Sequence, residues 1–343
     1  MYFTAKTLDD LMHQVLERLL HSRNRVAGTR GATRELNGVL LKIANPRARL
    51  SRSVSRGKVF SGLGELLWYL SGRNDLKFIE YYLPGYGKDN SDDGKTIYGA
   101  YGPRLFKMRG EIDQIENVVR TLEEKPDSRR AVIQLFNAED LVERVPRRKE
   151  IPCTCTMQFM VRRKRLEMFA TMRSNDVVLG LTHDVFTFTM LQEIIARRLG
   201  VEVGSYKHAV GSLHLYEDDF PKAQKYVDEG YQSTIPMPPM PIGDPRPEIR
   251  KLLRFEARIR EGKTVSKMDL MHPGYWADLL RLLQVFKYSK RKDGEAVAQI
   301  KRWMTSKVFN TYIQRRELDR PAPAKPEQMD IPFPAEPTPP PGK

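Results

Sequence analysis

The sequence predicts an α+β protein that ends in a helical extension. Three observations carry this expectation. Segments with a helical apolar stripe, such as Thr7 to Leu20, occur together with short β-branched and aromatic runs of strand type. Two of those runs, Met157 to Arg163 and Leu166 to Met172, flank the polar break Arg163-Lys164-Arg165 and so read as a hairpin. After Gln232 the composition shifts to Pro- and Met-rich sequence and then to basic helical segments.

In chain order, Leu8, Leu11, Met12, Val15 and Leu19 share one stripe of the first helix, and Thr7 is placed to cap it. Residues 22–34, SRNRVAGTRGATR, read as a polar, basic loop, and Asn45 to Arg56 carries further arginines. Phe60 to Leu70 is an apolar helix with one charge, Glu65. Tyr81 to Lys95 reads as a Gly-, Asp- and Asn-rich loop. Asp113 to Leu122 is a helix stopped by Pro126, and Ala131 to Phe136 is a strand. Val185 to Leu199 is a long apolar helix ended by Gly200, and Val210 to Tyr216 is a strand. Ser233 to Pro247 reads as a linker. Arg246 to Gly262, Tyr275 to Lys290 and Glu295 to Leu318 are basic helical segments.

The 343 residues, 40% of them hydrophobic, suffice for a full core. The expected organisation is a main domain over 1–232, a basic helical extension over 233–320, and a Pro-rich, disordered tail over 321–343. No apolar run is long enough to cross a membrane, and the start is not leader-like. The two cysteines, Cys153 and Cys155, are too close in sequence for an unstrained disulfide, so a reducing, cytoplasmic setting is expected. Without a set of histidines beside them, no metal site is expected. A formal charge of +15 implies anionic partners, whether nucleotides, polyanionic cofactors or nucleic acid.

Several residue types in this pattern can carry chemistry. Hairpin pairing brings Cys153 and Arg173 together at its open end, where a guanidinium favours the thiolate; the plain alternative is a small buried hydrophobe. Glu65, if desolvated, can shuttle protons near neutrality; otherwise it faces solvent. Arg25, Arg30 and Arg34 among glycines suit phosphate binding, or belong to a mobile surface loop. Arg129 and Arg130 begin a strand and point to opposite sides, serving two phosphate sites, or one across a subunit boundary, or merely solvent. His214 and Tyr216 share a strand face and make a hydroxyl-binding pair, or a core His with its neighbour.

Taken together these pieces resemble the thymidylate synthase family over roughly residues 7 to 230. The motifs are GELLWYL around Glu65, Tyr101-Gly102, PDSRR at 126–130, Pro-Cys at 152–153, Gln158, RSND at 173–176, Gly180 and HLY at 214–216. The resemblance implies a mixed β-sheet flanked by helices, with 1–232 as the catalytic domain. Where thymidylate synthases place an Asn past the motif's Gly, this chain has Asp184. A carboxylate accepts from the exocyclic amino group of cytosine, whereas an ionised one opposes uracil O4; capping of the next helix is the other reading of Asp184. The pattern looks most like the deoxycytidylate and cytidylate hydroxymethylases.

The resemblance implies that Cys153 adds to C6 of a pyrimidine nucleoside monophosphate, with 5,10-methylenetetrahydrofolate as co-substrate. Water then attacks the C5 methylene and the cysteine is expelled. It further implies that Glu65 manages protons and that Tyr101 sits near the base. Asp184 and Gln158 belong to substrate binding. Arg173 and Ser174, with Arg129 and Arg130 from the partner of a homodimer, hold the phosphate, and so does a loop arginine that is either Arg25 or Arg30. His214 and Tyr216 hold the sugar, and Asp176, Gly180 and Trp68 hold the folate. The chain departs from the family pattern at Thr154, where a His is usual, and in YYLPGYGKDN, which replaces a Trp-bearing loop. Loss of that wall admits water and favours hydroxymethylation. Deoxycytidylate is preferred over cytidylate because Arg130 and Ser174 match the phage deoxycytidylate pattern. The alternatives are a thymidylate synthase acting on deoxyuridylate, and a nucleic-acid-binding protein built on the basic helices.

Overall fold

The computed structural model describes residues 1–28, 30–53, 58–142, 148–233 and 235–318. The Pro-rich tail expected at 321–343, and Arg56 of the second basic stretch, lie outside these described residues.

Seven strands form one sheet: β1 (Tyr2–Ala5), β2 (Arg25–Gly28), β3 (Gly31–Ile43), β4 (Val132–Gln134), β5 (Thr154–Arg162), β6 (Arg165–Asp176) and β7 (Glu202–Tyr216). Their order is β1-β3-β7-β6-β5-β4, with β2 folded onto β3. The β1–β3 and β6–β7 pairs are parallel and the rest antiparallel, so the sheet is mixed, as the resemblance implies. The β5–β6 hairpin turns on Arg163 and Lys164, both at positive φ (51° and 58°), which is the turn geometry that matches strand twist in two-residue loops. Its open end delivers what the spacing predicts, since the Arg173 amide donates to the Cys153 carbonyl at 2.9 Å.

The helices are α1 (Leu8–Leu20), α2 (Val59–Leu70), α3 (Leu76–Tyr82), α4 (Tyr86–Asn90), α5 (Tyr101–Phe106), α6 (Gln114–Glu124), α7 (Leu181–Arg198), α8 (Phe220–Asp228), α9 (Arg246–Arg260), α10 (Lys267–Met271), α11 (Tyr275–Lys290), α12 (Gly294–Trp303) and α13 (Asn310–Leu318). Thr7 caps α1 by accepting from the Asp10 amide, and Asp113 caps α6 by accepting from Glu116. The sheet, α1, α2 and α7 share one apolar core, and Leu252, Leu279, Leu283 and Phe286 of the C-terminal helices belong to it too.

Four local expectations are corrected. Within residues 22–34, expected as a loop, Arg25–Gly28 and Gly31–Arg34 are paired strand, because β3 runs on along β7, from Thr33 opposite Tyr216 to Ile43 opposite Tyr206; that long-range pairing outweighs local polarity. Tyr81 to Lys95, expected as a loop, holds the end of α3 and the whole of α4. The long helix begins at Leu181 rather than Val185, its first turn hidden by the polar Thr182, His183 and Asp184. The expected linker is laid onto the body: Met237 and Met240 are buried, and the Met237 amide donates to the Arg47 carbonyl.

Candidate active site

Four elements converge on one cleft of about 1130 Å³: α2, the turn leading into α5, the β5–β6 hairpin with the start of α7, and the end of β7. Its walls include Glu65, Trp68, Tyr101, Cys153, Arg173, Ser174, Asp176, Gly180, Asp184, His214, Tyr216 and Arg30. Residues far apart in sequence are thus assembled around the expected cysteine. Gln158, Arg129, Arg130 and Arg25 do not line it. Gln158 donates to the Arg129 carbonyl at 2.9 Å. Arg129 and Arg130 are exposed at the entry to β4. Arg25 pairs with Glu217 at 2.8 Å. The arginine of this hairpin that faces the cleft is Arg30, which pairs with Asp176 at 2.8 Å and lies over the Tyr216 ring at 4.4 Å.

Glu65 is buried on the apolar face of α2, not at a solvated helix start. It accepts from the Tyr69 hydroxyl at 2.7 Å. Desolvation outweighs that bond and raises its pKa to about 7. The Cys153 thiol is likewise pushed up to about 11 by burial, with Arg173 opposing. Arg173 therefore acts in the expected direction but does not prevail: the ligand-free thiol is neutral at pH 7. Its guanidinium is turned to the Pro152 and Ile151 carbonyls (3.0 and 3.1 Å) and so braces the chain just before the cysteine. The Tyr101 hydroxyl accepts from the Thr154 amide (3.1 Å) and hydroxyl (2.9 Å), which is the work Thr154 does in place of the usual His.

Asp184 is not a helix cap. Gly180 occupies that position, and the Asp184 carboxylate accepts from Asn175 at 3.1 Å. Burial, followed by the charge of Glu65, raises the Asp184 pKa well above the carboxylate range. Behind it runs a buried chain that sequence reasoning missed. Asn175 also reaches His208 Nε2 at 3.4 Å, and His208 Nδ1 meets the Tyr206 hydroxyl at 2.8 Å. With Asn175 donating to Nε2, the His208 proton sits on Nδ1 and points at Tyr206. Burial lowers the His208 pKa to about 3, so this imidazole stays neutral. The period-2 spacing of Tyr206 and His208 was the signal available in the sequence. A β-carbon at Gly180 would lie 2.9 Å from Asn175 Oδ1 and 3.4 Å from Asp184 Oδ2, so the Gly makes room for this pair.

Asp176 shapes the turn into α7 through the Val178 and Leu179 amides (2.8 and 3.0 Å). Ser174 Oγ lies 3.5 Å from His214 Nδ1, and the His214 and Tyr216 rings meet edge to face at 5.3 Å. Glu150 also lines the cleft, unnoticed in a charged stretch before the cysteine. Both cysteines are free thiols. Among the described residues no group of His, Cys, Asp and Glu could hold a metal, and no helix is long and apolar enough to cross a membrane.

Comparison with known proteins agrees with this geometry. The deoxyuridylate hydroxymethyltransferase of Pseudomonas phage M6 is 34% identical over 173 residues, covering 49% of this chain and 48% of that protein. That of Bacillus phage SP01 is 30% identical over 230 residues, covering 64% of this chain and 59% of that protein. The chain thus spans about half the length of the curated relatives it matches. The family model described as thymidylate synthase matches residues 6–258, which include strands β2 to β7, the cysteine hairpin among them, and the Glu65 helix. This chain belongs to the thymidylate synthase family.

Proposed function

We propose that this protein transfers a one-carbon unit to C5 of a pyrimidine nucleoside monophosphate and adds water there, giving the 5-hydroxymethyl nucleotide. The observation that carries this is the assembly of Cys153, Glu65, Tyr101, Arg173, Asp184 and His214 on one cleft, within a family whose similar phage members are named hydroxymethyltransferases. The carbon comes from 5,10-methylenetetrahydrofolate. A cleft of about 1130 Å³ has room for both molecules, and it presents Trp68, whose buried indole N–H has no partner among the described residues. Asp176, Gly180 and Trp68 hold the folate.

Cys153 attacks C6, and Glu65 holds or releases a proton at a pKa near working pH. Tyr101 lies beside the base. Arg30, Arg173 and Ser174 hold the phosphate from within, with Arg129 and Arg130 reaching in from a second subunit of a homodimer. His214 and Tyr216 hold the sugar. Gln158 supports the binding region from the β4 side, through the Arg129 carbonyl. The setting is cytoplasmic.

The base is cytosine, with deoxycytidylate preferred. Asp184 supports this reading. A carboxylate oxygen at Asp184 accepts from the exocyclic amino group of cytosine, whereas it opposes uracil O4. A second reading, deoxyuridylate, is favoured by the names of the two relatives. Mass spectrometry of products from a mixture of cytidylate, deoxycytidylate and deoxyuridylate with the folate tests both. A hydroxymethylated cytosine nucleotide supports the first reading and a hydroxymethylated deoxyuridylate the second. A methylated deoxyuridylate would replace hydroxymethylation by synthase chemistry.

A further inference from the structure

Glu150 is a half-buried carboxylate that the chemistry above does not use. It sits three residues before Cys153 and faces the same cleft. Its Oε2 accepts from the Gly99 amide at 3.1 Å, and a β-carbon at that Gly would lie 2.5 Å from the same oxygen. The Gly is what lets backbone and carboxylate meet. Among the described residues Glu150 has no ion pair, and Oε1 has no hydrogen bond. The neighbouring guanidiniums are engaged elsewhere, Arg104 in a bidentate pair with Asp140 (2.8 and 2.7 Å) and Arg173 on two carbonyls. Glu150 is felt electrostatically at the Cys153 sulfur and at the Tyr86 hydroxyl, and Tyr86 also feels Glu65. Glu65, bonded to Tyr69, is felt at Asp184, while Glu150 is felt at Cys153 and keeps one oxygen open to the cleft. Desolvation raises the Glu150 pKa to about 7, so a proton can be taken up and returned near neutrality.

Building on the hydroxymethylation reading, we propose that Glu150 is the general base for the water that attacks the C5 methylene of the nucleotide. The water oxygen bonds to the methylene carbon while one water proton passes to Glu150. The electron pair of the exocyclic double bond moves into the C5–C4 system. It then returns to form C5=C6 as the C6–S bond breaks, releasing Cys153 as thiolate. The Glu150 proton goes to the departing sulfur or to solvent, and no oxidant or reductant is needed.

The test compares the wild-type protein with Glu150→Gln, supplied with labelled pyrimidine nucleotide and methylenetetrahydrofolate, with and without 2-mercaptoethanol at pH 8.5. A thiolate adds to the methylene without a base, whereas water needs one. The expected result is at least a ~100-fold loss of hydroxymethyl product, retained thioether product, and, without thiol, a Cys153 adduct carrying nucleotide plus the extra carbon in the intact-protein mass. Hydroxymethyl product within a few-fold of wild type would overturn the proposal and leave the reading of the reaction standing. Loss of both products with no adduct would place Glu150 before the methylene forms and overturn it too. No hydroxymethyl product from the wild type would overturn the reading of the reaction, and the proposal with it.

Discussion

Replacing Glu65 by Gln should make the protein more stable at pH 8 than the wild type, by an amount that vanishes at acid pH. Burial holds this carboxyl neutral up to about pH 7 in the folded chain, against 4.5 for the free group. Between those values the folded state binds about one proton more than the unfolded state. Stability therefore falls as pH rises through the interval, by about 1.4 kcal/mol per pH unit and about 3 kcal/mol in all. The contribution is intact below pH 4.5 and gone above 7. Gln keeps an oxygen for the Tyr69 hydroxyl and has nothing to ionise. Urea unfolding of both proteins at pH 5 and pH 8 measures the effect. The two should be nearly equal at pH 5, with Glu65→Gln ahead by about 3 kcal/mol at pH 8. A difference independent of pH, or one favouring the wild type at pH 8, would refute the claim that desolvation governs this carboxyl.

Other substitutions probe the rest of the site and its frame. Cys153→Ser should abolish turnover, and any sustained product formation would remove the covalent mechanism. Asp184→Asn should move the ratio of kcat/KM values toward deoxyuridylate by roughly 100-fold; an unchanged ratio would mean that Asp184 does not read the base. Gly180→Ala should raise the nucleotide KM by about tenfold or more, since the new methyl lands on the Asn175–Asp184 pair; steady-state kinetics with an unchanged KM would count against that crowding. Lys164→Gly should stabilise the chain by about 1 kcal/mol, because a residue at φ 58° is strained unless it is Gly; a thermal midpoint at or below wild type would contradict it.

What was legible in the sequence follows the range of the interactions involved. The cysteine hairpin announces itself because its alternation and its break lie within one short stretch, and α1 and α6 are readable from their stripes, α1 also from its cap Thr7 and α6 from the stop at Pro126. The β2–β3 hairpin was not, since it is held by β7, more than 160 residues later in the chain. The first turn of α7 was hidden because its polar residues face a buried site rather than solvent. At the site, the motifs located Cys153, Glu65, Tyr101, Asp184 and His214 on the cleft, but also Gln158, Arg129 and Arg130, which do not line it, and they did not give the groups' state. That Cys153 is neutral, that Asp184 is protonation-prone, and that His208, Asn175 and Glu150 matter all depend on burial, which arises only when distant segments close over one another.

The helix carrying Glu65 is packed from behind by the C-terminal helices. Phe286 of α11 stacks with Phe60 and Tyr82, and Tyr82 donates to the buried Glu256 of α9. Farther along, the Tyr312 hydroxyl of α13 donates to the Ser51 carbonyl, just upstream of α2. Helices α9, α11 and α13 are thus the support of the Glu65 side of the cleft. They cannot be exchanged like a cartridge between relatives, for a partner lacking matched aromatics would leave α2 with an oily back open to water. A change at Phe286, which does not line the cleft, would loosen the packing behind α2 and so reach the helix that buries Glu65.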